Sequence, residues 1–203
     1  MQCFMKLSFF ICVLFIFLSC SAKKEKDKLR FKVFVSDTSG GKFDEIAFSN
    51  WRTDMLNLRH ITEGVDSFEL RLWTWGIWTR RDLLLLKYFD NKWVSCNYTY
   101  YQNMRQVVDS LNVLCREMHP DSANKLQSYF TQDSIINLPS QSAIPNYRDR
   151  SADGITYFLE ISTKHFYKVL AYHNPHLYAD SFNMAFSNHL KYLKGYFDII
   201  YLY

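Results

Sequence analysis

The segment His173-Asn174-Pro175-His176 carries two imidazoles, and Asp180 follows shortly after it. These residue types bind zinc, which needs three or four nitrogen, sulfur or oxygen ligands. Pro175 lies between the histidines, however, and it breaks the rigid helical spacing on which zinc-binding helices depend. The pattern therefore predicts a polar connection between a strand and a helix, and we expect neither a metal ion nor a cofactor here.

Three further charged residues are candidates for acid–base chemistry: Arg71, Asp153 and Glu160. Arg71 and Glu160 lie in the middles of predicted strands, where a buried charge needs a partner. If those strands are neighbours, the two side chains form a structural charge pair. In a catalytic alternative, Glu160 is a general base with Asp153 nearby. Asp153 precedes Gly154, which is typical of a turn, and the sequence favours the structural pair.

The sequence lacks the motifs of several large enzyme classes. It contains no G-x-S-x-G, no P-loop and no C-x-x-C, and its six glycines supply few phosphate-binding loops. The formal net charge is +4, without the basic stripe that is expected of a nucleic-acid-binding protein. These observations favour a non-enzymatic protein without a nucleic-acid partner.

The N-terminal residues predict that the protein is attached to a membrane. Leu7–Leu18 is almost uninterrupted apolar sequence. A run of about twelve residues is too short to span a bilayer and matches the apolar region of a signal peptide. The tetrapeptide FLSC that ends at Cys20 resembles a bacterial lipobox, in which the cysteine becomes the acylated first residue, although Phe17 replaces the usual leucine. The alternative is a short anchor helix with an incidental Cys20.

This N-terminus sets the expected domain organisation. Residues 1–19 are a signal peptide, residues 20–30 are the acylated Cys20 and a charged flexible tether, and residues 31–203 are one globular domain. Only Cys96 and Cys115 then remain as cysteines of the domain. An oxidising envelope allows them to pair as a disulfide. The alternative is two buried thiols packed as small hydrophobic side chains, and the sequence leaves both possibilities open.

Several stretches of the domain alternate between apolar and polar residues with the period of β-strands. The predicted strands are Phe31–Val35, Ser67–Trp75, Asp82–Phe89, Trp93–Tyr101, Ile155–Ile161 and Phe166–Tyr172. Amphipathic spacing predicts a long C-terminal helix over Tyr178–Phe197, and Pro120 begins another helix. The expected fold class is therefore α+β, with an antiparallel sheet of about five or six strands and two or three helices.

Two segments are ambiguous between types of secondary structure. Phe43–Arg59 fits helical spacing only loosely, so it is either a helix or an irregular segment. Met104–Met118 has apolar residues at helical spacing, but Leu111, Val113 and Cys115 also alternate as they would in a strand. Periodicity alone leaves both assignments open.

Parts of the domain resemble a family of uncharacterised, signal-peptide-bearing lipoproteins of Gram-negative bacteria. The similar stretches are LPSQSAIPNYRDRSADGITYFLEI (Leu138–Ile161), YKVLAYHNP (Tyr167–Pro175) and FELRLW (Phe68–Trp73). The resemblance implies an α+β fold and an envelope address, and it favours a strand for Met104–Met118. It implies no activity, because that family has none assigned. Ser21 stands where a retention signal would place aspartate, which implies the outer membrane.

Three roles are compatible with a lipid-anchored envelope protein of this kind. The favoured role is a non-enzymatic binding or accessory domain with an envelope protein or ligand as partner, which predicts an exposed apolar or aromatic patch. The first alternative is an envelope hydrolase that uses Glu160, Asp153 or a histidine, which predicts a closed pocket with titratable groups. The second alternative is a structural subunit of an envelope assembly.

Overall fold

The computed structural model describes residues 32–34, 45–76, 80–103, 105–131, 135, 137–148 and 153–197. Residues 33–203 form one compact unit. The elements given below belong to it, apart from the first residue of β1. The predicted signal peptide over residues 1–19, the lipidated Cys20 and the tether over residues 20–30 lie outside the described residues.

The alternating stretches of the sequence form one sheet. Its strands are β1 Lys32–Phe34, β2 Phe68–Gly76, β3 Arg80–Phe89, β4 Lys92–Gln102, β5 Val108–Glu117, β6 Ile155–Thr163 and β7 Phe166–His173. Their order is β1-β7-β6-β2-β3-β4-β5, and the registered pairs among β2 to β7 are antiparallel. The predicted antiparallel α+β fold is confirmed: six of the strands are 8 to 11 residues long, and the three-residue β1 lies at one edge.

Three helices lie among the residues that the structure describes. They are α1 Glu45–Met55, α2 Pro120–Thr131 and α3 Ser181–Phe197, with 3-10 turns at Gln141–Ala143 and Pro175–Leu177. The helix is therefore the correct alternative for Phe43–Arg59. Because α3 begins at Ser181 and its side chains are described only as far as Leu193, the prediction of a long C-terminal helix is not confirmed. No helix among the described residues has the length and apolar character needed to cross a membrane.

Apolar side chains cover both faces of the sheet, because successive strand residues point to opposite sides. The larger core joins the sheet to α2 and α3, and it includes Leu70, Leu72, Leu86, Leu159, Phe130 and Phe186. The smaller core lies on the other face and includes Trp73, Leu83, Leu85 and Phe158. Phe48 of α1 packs against this smaller core, so we call this face the α1 side of the sheet.

Helix α1 turns polar residues toward the protein interior. Its buried residues are Glu45, Ser49, Arg52 and Thr53. A helix that lies on a core ordinarily buries an apolar stripe, so apolar spacing was a weak signal for α1. The contacts of these four side chains, described below, show what holds the helix on the sheet.

Strand β5 is an exposed edge strand. It pairs with β4 so that Cys115 lies directly opposite Cys96, and the two cysteines form a disulfide. The strand is therefore the correct alternative for Met104–Met118, although its apolar residues also had helical spacing. Every residue from position 109 to position 117 is exposed, including Leu111 and Leu114. The disulfide thus fixes a strand whose own side chains bury little surface.

Candidate functional site

A pocket of about 420 Å³ opens on the α1 side of the sheet. Its aromatic wall consists of Phe48 from α1, Trp75 from β2 and Phe158 from β6, and Tyr147 adds a fourth ring to the lining. The centroid of the Phe48 ring lies 5.5 Å from that of Trp75 and 4.7 Å from that of Phe158. Aromatic rings in contact form a rigid apolar surface on which a ligand can pack.

Polar side chains complete the lining of the pocket: Glu45, Gln141, Ser142, Thr156 and His173. Glu45 lies in the first turn of α1, is only 2% exposed, and accepts a hydrogen bond on Oε2 from Ser140 Oγ at 2.9 Å. A mostly apolar pocket with a few convergent polar groups is typical of sites for small molecules. The pocket is therefore the candidate functional site.

Two side chains at the start of the 3-10 turn Gln141–Ala143 hold β7 in position. Ser140 Oγ accepts a hydrogen bond from the Ala171 amide at 3.0 Å. Gln141 Oε1 accepts one from the His173 amide at 2.7 Å, and Gln141 Nε2 donates to the His173 carbonyl at 2.9 Å. These side chains satisfy backbone groups of β7 as a neighbouring strand would. They thereby fix His173 at the pocket.

His173, a candidate from the sequence, lies in the pocket lining with both ring nitrogens engaged. Nδ1 is 2.9 Å from Thr156 Oγ1, and Nε2 is 3.1 Å from Asn174 Nδ2. Because the amide nitrogen of Asn174 can only donate, Nε2 accepts and Nδ1 carries the proton. Neither nitrogen is available for acid–base chemistry on a ligand in this arrangement.

Asn174 joins the end of β7 to the predicted turn at Asp153 and Gly154. Its Oδ1 accepts a hydrogen bond from the Ile155 amide, and its Nδ2 donates to the Asp153 carbonyl, both at 2.8 Å. Its φ of 42° is left-handed, a conformation that asparagine adopts more readily than most residues. Asp153 thus contributes its backbone carbonyl to the turn. The residue itself is exposed to solvent.

Replacing Gly154 by alanine is expected to lower the free energy of unfolding by about 1–3 kcal/mol, the cost of a strained backbone position. The φ of Gly154 is 143°, and an added Cβ would lie 2.0 Å from Asn174 Nδ2. Asn174 would have to release its bonds to the turn. Urea unfolding of the full chain measures the loss, with Lys164→Ala in the exposed β6–β7 turn as the control. Equal stability of the two variants would contradict a stabilising role for the hydrogen bonds between Asn174 and the turn.

Glu160, the proposed general base of the catalytic alternative, is fully buried at the centre of β6. Its Oε1 accepts hydrogen bonds from Ser49 Oγ and, at 2.8 Å, from the Tyr167 hydroxyl. Its Oε2 accepts one from Trp73 Nε1 at 2.5 Å. Burial, together with the neighbouring Glu160 carboxylate, raises the pKa of Tyr167. A general base must reach the proton that it removes, and this carboxylate is enclosed by its own donors.

Arg71 lies directly opposite Glu160 in the register of β2 and β6, yet its ion pair is with another residue. Arg71 Nη2 lies 2.7 Å from Glu69 Oε1, and Arg71 Nη1 donates to Thr53 Oγ1 at 2.9 Å. The two strands are neighbours, which was the condition for the expected Arg71–Glu160 charge pair, but Arg71 makes these contacts instead. Glu69 precedes Arg71 by two residues and therefore shares its face of the strand.

The other metal-like residues of the sequence have separate positions. His176 is exposed in the 3-10 turn Pro175–Leu177. Asp180 caps α3, because its Oδ1 accepts hydrogen bonds from the amides of Phe182 and Asn183 at 3.1 Å and 2.9 Å. Within the described ranges, no three His, Cys, Asp or Glu side chains come together as metal ligands.

Sequence reasoning missed Arg52, which lies fully buried against the aromatic wall. Its guanidinium carbon is 4.0 Å from the centroid of Phe48, 4.4 Å from that of Phe158 and 4.6 Å from that of Trp75. The available signal was its position four residues after Phe48, which places both on one helix face. The rings of β2 and β6 join them only in the folded chain, so no local pattern could show the cluster.

Comparisons with protein-family models, with curated proteins and with solved structures find no match for this chain. The function must therefore be inferred from the geometry of the pocket and from the sequence. The predicted lipidation site, Cys20, lies outside the described residues and adds nothing to that geometry.

Proposed function

We propose that this chain is a lipid-anchored protein of the bacterial envelope, in the outer membrane, that binds a small ligand without converting it. The anchor is inferred from the apolar run Leu7–Leu18, the lipobox-like end at Cys20 and the lysine-rich residues that follow. Two or more acyl chains at Cys20 would hold the domain stably on a membrane surface. The tether over residues 20–30 would give the domain a limited reach from that surface.

The observation that carries the binding role is the aromatic wall of the pocket. Three rings from α1, β2 and β6 meet there, and polar groups complete the lining. Rings of this kind stack on flat apolar surfaces, while the polar groups orient the ligand. The class of ligand that fits is therefore a molecule with a flat face and polar edges, such as a pyranose ring or an aromatic ring.

The candidate catalytic groups support binding over hydrolysis. Glu160 is enclosed by three donors, and both nitrogens of His173 are engaged by neighbours. Hydrolysis needs a general base with access to a water molecule and the scissile bond. Neither residue offers that access, which supports a binding role over hydrolysis by Glu160 or His173.

Calorimetric titration of the detergent-solubilised full chain tests the binding role. The probes are a soluble N-acetylglucosamine tetramer, which presents pyranose rings, and indole, which presents an aromatic ring. Ser142 is exposed and lines the pocket, so Ser142→Trp should fill part of it and weaken binding at least tenfold. Ser142→Ala is the matched control and should bind as the unaltered chain does. Binding of neither probe, or equal binding by Ser142→Trp, would overturn the proposal.

Mass spectrometry of the chain isolated from producing cells tests the anchor separately. We expect a mature chain that begins at Cys20 and carries lipid. Cys20→Ala should yield a chain without that mass increment. An unprocessed chain that begins at Met1 would contradict lipidation and would leave the pocket proposal untouched.

A further inference from the structure

Two guanidinium groups lie over the ring of Trp75. The guanidinium carbon of Arg52 is 4.6 Å from the ring centroid, and that of Arg81 is 4.2 Å from it. Tyr100 of β4 lies directly opposite Arg81 in the register of β3 and β4. The three side chains therefore converge at one place on the α1 side of the sheet, beside the aromatic wall.

Five donor atoms of this cluster are buried without a hydrogen-bond acceptor in the described part of the chain. They are Nε, Nη1 and Nη2 of Arg52, Nε of Arg81 and the hydroxyl oxygen of Tyr100. An unmet buried polar group costs about 1–3 kcal/mol. Contacts with the aromatic rings offset part of this cost for Arg52. Such contacts engage the flat faces of the guanidinium, however, and leave the N–H groups at its edge unsatisfied.

The carboxylates nearest to the cluster are bonded elsewhere. Glu160 interacts with Arg52 through space, but its oxygens accept hydrogen bonds from Ser49, Trp73 and Tyr167. Asp82 is the acidic group near Tyr100, and its Oδ1 accepts a hydrogen bond from Thr99 Oγ1 at 2.8 Å. The two arginines thus bring two positive charges and a set of unused donors to one place.

The protonation states keep these groups as donors at neutral pH. Burial lowers the pKa of Arg52 to about 9, against the opposing influence of Tyr100 and Glu160. Burial raises the pKa of Tyr100 to about 12, against the influence of the two arginines. Arg52 therefore retains its positive charge near pH 7, and the Tyr100 hydroxyl retains its proton.

We propose that Arg52, Arg81 and Tyr100 form a binding site for a tetrahedral oxyanion of the phosphate class. An oxyanion offers several acceptor oxygens to the five unmet donors, and its negative charge compensates the arginines. A cation would be repelled, and a neutral ligand would leave the buried charge uncompensated. Arg81 is 8% exposed, whereas Arg52 and Tyr100 are fully buried, so Arg81 is the member of the cluster most exposed to solvent.

Thermal unfolding of the full chain in rising inorganic phosphate tests this site. At tenfold the dissociation constant, bound phosphate should raise Tm by about 3–6 °C. Sodium chloride at matched ionic strength should give no comparable rise. A parallel titration with glycerol 3-phosphate distinguishes a site for the free ion from a site for a phosphate ester, because an ester site binds glycerol 3-phosphate more tightly.

Arg52→Met and Arg81→Met are the test variants, since each removes one positive charge and keeps an unbranched, largely apolar side chain. Both should lose the phosphate-dependent rise in Tm. Without phosphate, Arg52→Met should be as stable as the unaltered chain or more stable, because a buried charge whose N–H groups have no hydrogen-bond acceptor is replaced by an apolar side chain. Tyr100→Phe removes only the hydroxyl and should weaken the phosphate response. If Arg52→Met fails to fold, Arg81→Met and Tyr100→Phe still decide the question.

Lys87→Met is the matched control, because it removes a positive charge from the same strand, β3, outside the cluster. It should keep the full phosphate response. An equal rise in Tm for the unaltered chain and for the foldable cluster variants would overturn the site. The site would also be overturned if sodium chloride raised the Tm of the unaltered chain as much as phosphate does, because ionic strength alone would then explain the rise.

Discussion

Replacing Glu160 by alanine is expected to lower the free energy of unfolding by about 3–5 kcal/mol, as does removal of one partner from a buried charged network. Three donors would lose their acceptor: Ser49 Oγ, Trp73 Nε1 and the Tyr167 hydroxyl. Arg52 would also lose the negative charge that favours its protonated form. Urea unfolding of the full chain, followed by tryptophan fluorescence, measures the change.

Two further variants separate the possible causes of this loss. Glu160→Gln keeps one acceptor oxygen but turns an amide donor toward the other donors, so an intermediate loss is expected. Glu63→Ala removes an exposed glutamate and should change the stability by less than about 0.5 kcal/mol. If Glu160→Ala were as stable as Glu63→Ala, the carboxylate would not be the acceptor that the three donors require.

Replacing Cys96 and Cys115 together by alanine is expected to cost about 3 kcal/mol, from the loop-closure entropy that a disulfide removes from the unfolded chain. The two residues are 19 positions apart. The effect should also be local, because the side chains of β5 are exposed and bury little surface of their own. Amide hydrogen exchange should therefore accelerate in β5 far more than in the central strands.

Reduction of the unaltered chain with a thiol reagent should reproduce the exchange pattern of the double variant. The double replacement Asn97→Ala with Leu114→Ala is the matched control, because this pair is also opposite in the register of β4 and β5. Leu114 is 67% exposed, so little stability should be lost. Unchanged exchange of β5 amides after removal of the disulfide would show that backbone pairing alone holds the strand.

The sequence predicted most of the sheet because alternation is a local signal. The strand assigned to Ser67–Trp75 corresponds to β2, and the hairpin from Ile155 to Tyr172 corresponds to β6 and β7. Helix α1 was ambiguous because its buried residues are polar, which defeats any prediction from apolar spacing. Met104–Met118 was ambiguous because β5 is an exposed edge strand. Its side chains bury little surface, so its apolar and polar residues need not alternate strictly.

The site was harder to predict than the fold. Glu160 was identified as a buried charge in a strand, but its donors come from α1, β2 and β7 and were not apparent from its neighbours in sequence. The Arg71 pairing failed because Arg71 forms its ion pair with Glu69 on the same strand face, while Glu160 accepts hydrogen bonds from other donors. Arg52 and Trp75 meet only through tertiary structure. Aromatic residues make up 18% of the chain, but composition does not show which of them line a pocket.

The polar inner face of α1 has a consequence for how the helix is placed. Glu45 bonds to Ser140, Ser49 to Glu160 and Thr53 to Arg71, and these contacts lie along more than two turns of the helix. Apolar surfaces tolerate sliding by one turn or rotation about the axis, because contact area is non-directional. Hydrogen bonds at several points do not, since a shift of one turn would break all of them together. Translation and rotation of α1 are thus both fixed, and the helix has one alignment on the sheet with no neighbouring alternative of similar energy.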